Sequence, residues 1–389
     1  MMRNFGIWLL ALLGVSLVSC NSNESSGEYA LKASDSILRI QLDSLTSNIS
    51  EWLDYYFDEE SNSGLLFSVD PTANELELYS IEEGVLVQKV AYNTEGPNGV
   101  GTLMAGAILG LDSLLIFQPF SNSIFQSNLN DSRLGKIKYK KPDEYSSILS
   151  ETKYFRSIPF LKDNYLYTKT FFGGNYLMLG NEELSTKPLM YRVDLASGEI
   201  EFSAFTFPDD YWAEGKRHYE FSSALDNNRF VFSFYGDHNV YYGESFQDPL
   251  DKKPAKSKYL SQEFEDLPET ANPNDRRIYF ATAAHYGSLI YDQFRDVYYR
   301  FCYPKKEFES DQDFREMTLF PEEFSVMVLN SELEVIGETL FGNDGQKYAS
   351  NNVFVGPKGL YISVNHPKNE LNKEDSFSFK LFKLELIKD

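Results

Sequence analysis

The chain has 389 residues, 42% of them hydrophobic and 15% aromatic, with 26 Tyr and 31 Phe. Its 24 Gly and 15 Pro are too few for a low-complexity chain, so the composition is that of a core-forming globular protein whose aromatics favour strands. With 36 Lys+Arg against 58 Asp+Glu the formal net charge is −22, which excludes an extended basic face for nucleic acid and disfavours docking on anionic lipid.

Residues 1–19 carry one positive charge at Arg3, followed by a nearly unbroken apolar run from Phe5 to Val18. The run is too short to span a membrane comfortably and reads as a signal peptide. It ends in Leu17-Val18-Ser19-Cys20, which resembles the bacterial lipoprotein box. That resemblance implies a lipid on Cys20 and an outer-membrane lipoprotein, facing the periplasm or the cell surface. Residues 20–34, with a Ser/Asn-rich start, are expected to form a flexible tether, and 35–389 a single domain. The other cysteine, Cys302, sits in Phe301-Cys302-Tyr303 and reads as a buried thiol.

Beyond the tether, short β-branched and aromatic runs alternate with Gly, Asn, Asp and Pro clusters, the pattern of many short strands. A first strand is expected over 36–42. A set of four follows, around 52–57 and over 64–69, 75–79 and 85–90, the third with clean in/out alternation. Further sets are expected at 105–110, 113–118, 123–128 and 134–140; at 157–161, 165–170, 190–195 and 199–205; at 219–224, 229–234, 240–244 and 257–260; and at 285–291, 296–302, 324–330 and 334–340. A last set, 352–355, 359–364 and 377–386, lacks one strand, which 36–42 would supply. Six four-stranded sets closed by the N-terminal strand describe an all-β, six-bladed β-propeller. Seven blades, or two β domains, are the alternatives.

Thr94-Glu95-Gly96-Pro97-Asn98-Gly99-Val100-Gly101 resembles the signature loop of a Bacteroidetes lipoprotein family, the domain of unknown function 4221. So do Ile40-Gln41-Leu42-Asp43-Ser44-Leu45-Thr46, Leu111-Asp112-Ser113 and the segment from Tyr291 to Phe301. The resemblance implies a six-bladed, TolB-like propeller. It implies no activity and no catalytic residue.

In such a fold the connections between blades and those between second and third strands emerge on one face. The longest expected loops fall in these two classes, and irregular loops on a rigid scaffold are where binding resides. The Gly96–Gly101 loop reads as a rigid turn or as backbone facing a ligand at Asn98. His218, His238 and His366 fall in or beside these loops, near Asp209, Asp210 and Asp237 in sequence, but without metal-ligand spacing. Arg217, Arg276 and Arg277 are basic spots suited to a carboxylate or sulfate, or to pairing within the protein. His285 is expected on an innermost strand. Tyr291–Phe301 reads as a turn and strand on the opposite face, with a structural role.

Serine-hydrolase, zinc-protease and nucleotide-binding motifs are missing. The expected function is non-catalytic binding of a protein, peptide or glycan on the loop-rich face, through Asn98, Arg217, His218, His238, Arg276, Arg277, His285 and His366. No metal, cofactor or nucleic acid is expected; the membrane is reached through Cys20. The alternative is a cell-envelope polysaccharide hydrolase or lyase, which needs acidic or His groups to converge at the central mouth.

Overall fold

Strand-forming runs separated by turn residues pair much as their spacing predicts. The computed structural model describes residues 28–118, 120–130, 135–226, 229–308 and 313–387; the expected signal peptide, Cys20 and most of the expected tether lie outside them. The first strand is β1 (Tyr29–Gln41). One antiparallel sheet holds β2 (Leu53–Asp58), β3 (Ser63–Asp70), β4 (Glu75–Ser80) and β5 (Val85–Ala91). A second holds β6 (Ala105–Gly110), β7 (Ser113–Phe117), β8 (Ser123–Ser127) and β9 (Gly135–Lys138). A third holds β10 (Phe160–Lys162), β11 (Tyr165–Lys169), β12 (Met190–Asp194) and β13 (Ile200–Phe202), and a fourth β14 (Phe221–Leu225), β15 (Phe230–Phe234), β16 (Asn239–Gly243) and β17 (Asp251–Pro254).

The remaining strands are β18 (His285–Asp292), β19 (Val297–Tyr303), β20 (Phe324–Leu329), β21 (Val335–Phe341), β22 (Ala349–Gly356), β23 (Gly359–Ser363) and β24 (Ser376–Leu386). With β1 they form one eight-stranded sheet, in the order β18-β19-β20-β21-β1-β24-β23-β22. β1 runs antiparallel to β24 from Tyr29↔Leu386 to Gln41↔Ser376. It meets β21 through a single parallel pair, Tyr29↔Gly337. A Cβ on Gly337 would lie 1.9 Å from Tyr29 O, so only glycine permits that join. The first strands β2, β6, β10, β14, β18 and β22 lie against one another around a common axis. The arrangement is all-β and propeller-like, with the N-terminal strand paired to the C-terminal one.

Sheets that stack side by side bury both faces. β4 was expected to alternate in and out, yet even Glu77 is fully buried, because a neighbour covers each side. Glu77 is satisfied there by Lys89 Nζ at 2.9 Å, Thr46 Oγ1 at 2.9 Å and the Tyr79 hydroxyl at 2.8 Å. Between the third and fourth sheets the core is aromatic: the Phe205 ring lies 5.2 Å from Phe230, 5.4 Å from Phe232 and 5.8 Å from Phe246. Each such buried ring contributes about 2–3 kcal/mol relative to exposure.

Three segments differ from expectation. β1 begins at Tyr29, inside the stretch 20–34, because Leu31 is buried in the core beside Phe341 and Phe382. The fourth strand of the fourth sheet is Asp251–Pro254, not 257–260. An edge strand tolerates charge and a terminal Pro, so it carries no hydrophobic signal. Residues 257–260 instead curl so that Ser257 Oγ and Lys258 N donate to the buried Glu338 carboxylate at 2.5 and 2.7 Å. Finally, the expected loop 261–284 contains α2 (Pro273–Thr282), which follows the short α1 (Asn181–Ser185) in the chain. Its sequence signal is Asn272-Pro273-Asn274-Asp275: a capping box, with Asn272 accepting from Asn274 N and Asp275 N, and Pro at the helix start. Among the described residues no helix is long and apolar enough to cross a membrane.

Candidate functional site

The axis is not an open tube. The connection from β9 to β10 enters it and folds into a small loop, closed where Ser157 N donates to Glu151 O at 2.9 Å and Glu151 N to Ser157 O at 3.3 Å. First strands from opposite sides hold this plug. From β2, Leu53 N donates to Thr152 Oγ1 at 3.2 Å, and Asp54 accepts from Arg156 at 2.6 Å. From β14, Ser222 Oγ and Ser223 N donate to Arg156 O at 2.5 and 3.1 Å. From β18, Ser288 Oγ accepts from Arg156 N at 3.2 Å. The polar backbone of the loop is thus satisfied inside the protein, as burial demands.

The long connections gather at one end of the strands. Lys216 Nζ donates to Leu179 O at 2.9 Å and Asn181 Oδ1 at 2.6 Å, and Ser146 N to Phe171 O at 2.8 Å, each joining two of them. At this end the axis is filled by aromatic packing of Phe155, Tyr235, Tyr279 and Phe280. His285 stacks on Tyr235 at 4.6 Å, and His218 lies 4.9 Å from Phe280. Burial pushes the His218 imidazole down to about 4 and His285 to about 3, so both are neutral at pH 7. The space left beside His285 is about 20 Å³, room for about one water molecule. Next to this packing Lys169, at the end of β11, reaches Glu220 at 2.6 Å and Glu151 at 3.6 Å. It also donates to Phe221 O at 2.7 Å and lies 4.5 Å from the Phe221 ring centre. Burial, opposed by Lys169 and aided by Glu220, raises Glu151 to about 7.

At the other end the axis opens into a funnel of about 360 Å³, the size of a small-molecule site. Every first strand contributes a wall residue: Tyr55, Ile108, Phe160, Leu225, Tyr291 and Val355. The plug supplies Arg156, Ile158 and Pro159. Asp54 binds Arg156 from behind, and burial raises its pKa against the pull of that guanidinium. The Tyr55 hydroxyl is buried without a hydrogen-bond partner.

The eight expected binding residues do not converge on one opening. Asn98 is exposed at the tip of a tight turn, which Asn74 anchors by donating to Gly101 O at 3.1 Å and Tyr92 O at 2.8 Å. Arg217 is buried and donates to Gly236 O at 2.8 Å, with Glu214 at 3.1 Å. His238 donates to Gln262 O at 3.1 Å and lies 2.8 Å from the Tyr286 hydroxyl. Arg276 donates to Ala271 O at 3.2 Å on α2; Arg277 is exposed. His366 is buried far around the ring, where its Nδ1 accepts from Lys368 N at 3.0 Å, and burial lowers it to about 4. His218 and His285 both pack against Tyr235, and Arg217 and His238 both pack against Phe264. Asp237 accepts from Asn239 and Tyr241. Among the described residues no three His, Cys, Asp or Glu are grouped to hold a metal ion.

The Tyr291–Phe301 segment lies at the funnel end. Asp292 accepts from Arg295 Nε at 2.5 Å and the Tyr299 hydroxyl at 2.9 Å, and Arg295 donates to Gly356 O at 2.7 Å. It ties the β18–β19 turn to the β22–β23 turn. Cys302 is fully buried, and burial raises its thiol to about 12. Sequence reasoning missed Asp54, Glu151, Arg156, Lys169 and Glu220. The available signal was the length of the 141–156 connection, since so long an insertion must pack somewhere.

Comparison with known proteins follows the architecture. The model of the Domain of unknown function (DUF4221) matches residues 28–340. A crystal structure of a DUF4221 family member from Bacteroides vulgatus is similar at a TM-score of 0.82 and 23% identity, over 93% of this chain and 100% of that one. A Bacteroides fragilis protein is similar at a TM-score of 0.51 and 11% identity, over 92% and 96%. No curated protein matches the sequence.

Proposed function

This chain belongs to the DUF4221 family, and from that premise we propose that it is a lipid-anchored, six-bladed propeller that binds a ligand without chemistry. The eight-stranded sheet counts as two blades, since a single residue pair joins its halves. Lipid on Cys20 tethers the domain to the outer membrane, facing the periplasm or the cell surface. The observation that carries the binding reading is the axial funnel: six first strands and the plug build one wall of mostly apolar side chains around Arg156, with no pair of carboxylates facing it. The exposed Asn98 and Arg277 on the loop-rich face leave that face to a protein, peptide or glycan partner.

The test has two parts. Metabolic labelling with an alkyne-tagged fatty acid should mark the wild type and not Cys20→Ala; equal labelling refutes the anchor. Native mass spectrometry of the protein extracted from its own envelope should show a bound small molecule that Leu225→Asp releases. A funnel empty in every preparation refutes that seat. One observation favours a second reading, an envelope polysaccharide hydrolase: Glu151 and Glu220 share Lys169, and Glu151 titrates near neutrality as a general acid does. Loss of polysaccharide turnover in Glu151→Gln would establish it.

A further inference from the structure

The funnel's charge pattern narrows its ligand. The chain carries 58 acidic against 36 basic side chains, yet the one charged side chain among the residues lining the funnel is Arg156. A guanidinium has five N–H donors. Here one meets Asp54 at 2.6 Å and another is 3.5 Å from Leu53 O. The others have no protein acceptor among the described residues. None of its nitrogens is both sealed from solvent and unpaired, and its side chain keeps 13% exposure. The Tyr55 hydroxyl is not one of the funnel's donors: it is sealed from solvent against Gly64 on β3. Around the spare guanidinium donors most of the lining side chains are hydrocarbon, Ile108, Leu109, Ile158, Pro159, Leu225 and Val355 among them, with Ser223, Tyr291 and Gln293 adding neutral polar groups. The site therefore presents spare donors at its floor and a mostly apolar collar at its rim. Asp54 fixes the guanidinium from behind, so the fork does not have to be ordered when a ligand arrives.

We propose that the funnel binds a small monocarboxylic acid with an apolar body, its carboxylate on Arg156 and its hydrocarbon part against the collar. The proposal rests on the reading of the funnel as the ligand seat. A neutral hydroxyl in place of the carboxylate forfeits charge-assisted hydrogen bonding, and an ammonium group meets only donors. Burying the apolar body supplies the remainder of the affinity.

Calorimetric titration of the protein with 4-phenylbutyrate, 4-phenylbutanol and 4-phenylbutylamine tests it. The acid is expected to bind one to one, at least about tenfold more tightly than the alcohol, with the amine weakest. Leu225→Asp places a carboxylate at the half-exposed rim and should weaken the acid by about tenfold or more, measured well below the variant's own melting temperature because Leu225 also packs on the aromatic core. Arg156→Lys keeps the charge but not the fork and should narrow the gap between acid and alcohol. If all three probes bind equally and Leu225→Asp weakens all of them, the funnel is a ligand seat but the carboxylate assignment is overturned. If no probe binds, or binding ignores Leu225→Asp, the funnel reading falls with it.

Discussion

Ser222 is a small residue on which the plug, β14 and β18 all depend. Its hydroxyl donates to Arg156 O at 2.5 Å and accepts from Leu289 N at 2.8 Å. β18 is bulged between Tyr286 and Leu289, so that N–H looks to a side chain. Ser222 is fully buried and Leu289 nearly so, which leaves no water to replace the oxygen. Ser222→Ala orphans the Leu289 N–H at about 1–3 kcal/mol, whereas Arg156 O keeps its bond from Ser223 N and loses about 0.5–1 kcal/mol. The expected loss is about 2–3 kcal/mol. With an unfolding entropy near 2.1 cal/mol/K per residue over roughly 350 residues, that lowers Tm by about 3–4 °C. Urea denaturation followed by Trp fluorescence measures the first quantity, and hydrogen exchange at Leu289 and over 151–157 locates it. Ser223→Ala serves as the control: its Oγ meets only Ser157 Oγ, at 3.2 Å, so it should cost under about 0.5 kcal/mol. If Ser222→Ala is as stable as that control, or destabilises without faster exchange in the plug, the account of how the axis is closed is wrong.

Glu151 provides a pH signature. Its pKa rises from the ordinary 4.5 to about 7 on folding, so its carboxylate favours the folded state less as pH rises, and stability falls between about pH 4.5 and 7. The Tm of Glu151→Gln minus that of wild type should therefore increase from pH 5 to pH 7.5 in scanning calorimetry; a flat difference counts against the cluster of Glu151, Glu220 and Lys169. Cys302, raised to about 12 by burial, should resist a thiol reagent such as Ellman's at pH 8 and react fully in urea; rapid reaction of the folded protein would show that the strand is not sealed. Gly198 has φ +76° and its missing Cβ would fall 2.0 Å from Lys138 O. Gly198→Ala should cost at least about 2 kcal/mol by denaturation, whereas a neutral result would mean the second and third sheets do not approach as closely as described.

Much of the architecture could be read from local pattern. β6 occupies the expected 105–110, and β11, β12 and β20 lie within a residue or two of expectation. Turn residues bound these strands, and their β-branched and aromatic content is a local property. Where the signal was not hydrophobic, prediction failed: Asp251–Pro254 pairs at an edge with charged side chains. α2 was hidden for a different reason. Its capping box was present in the sequence, but the segment has no strong apolar face to show a helical period.

The site was far less legible. Arg217, His218 and His366 looked available because they sit in long connections, yet all three pack inside the fold, each with a polar atom sealed from solvent. Arg156 and Asp54 are about a hundred residues apart in sequence, and their pairing depends on which connection enters the axis. By itself the sequence determined the strand class, the four-stranded grouping of β2–β17, the pairing of the first strand with the last and the buried state of Cys302, because each follows from side-chain pattern within a short window. Only the tertiary structure decided that one end of the axis is filled by aromatic rings and the other left open. That choice is set by side chains from six first strands and one inserted loop competing for the same central volume, and no local window records the outcome.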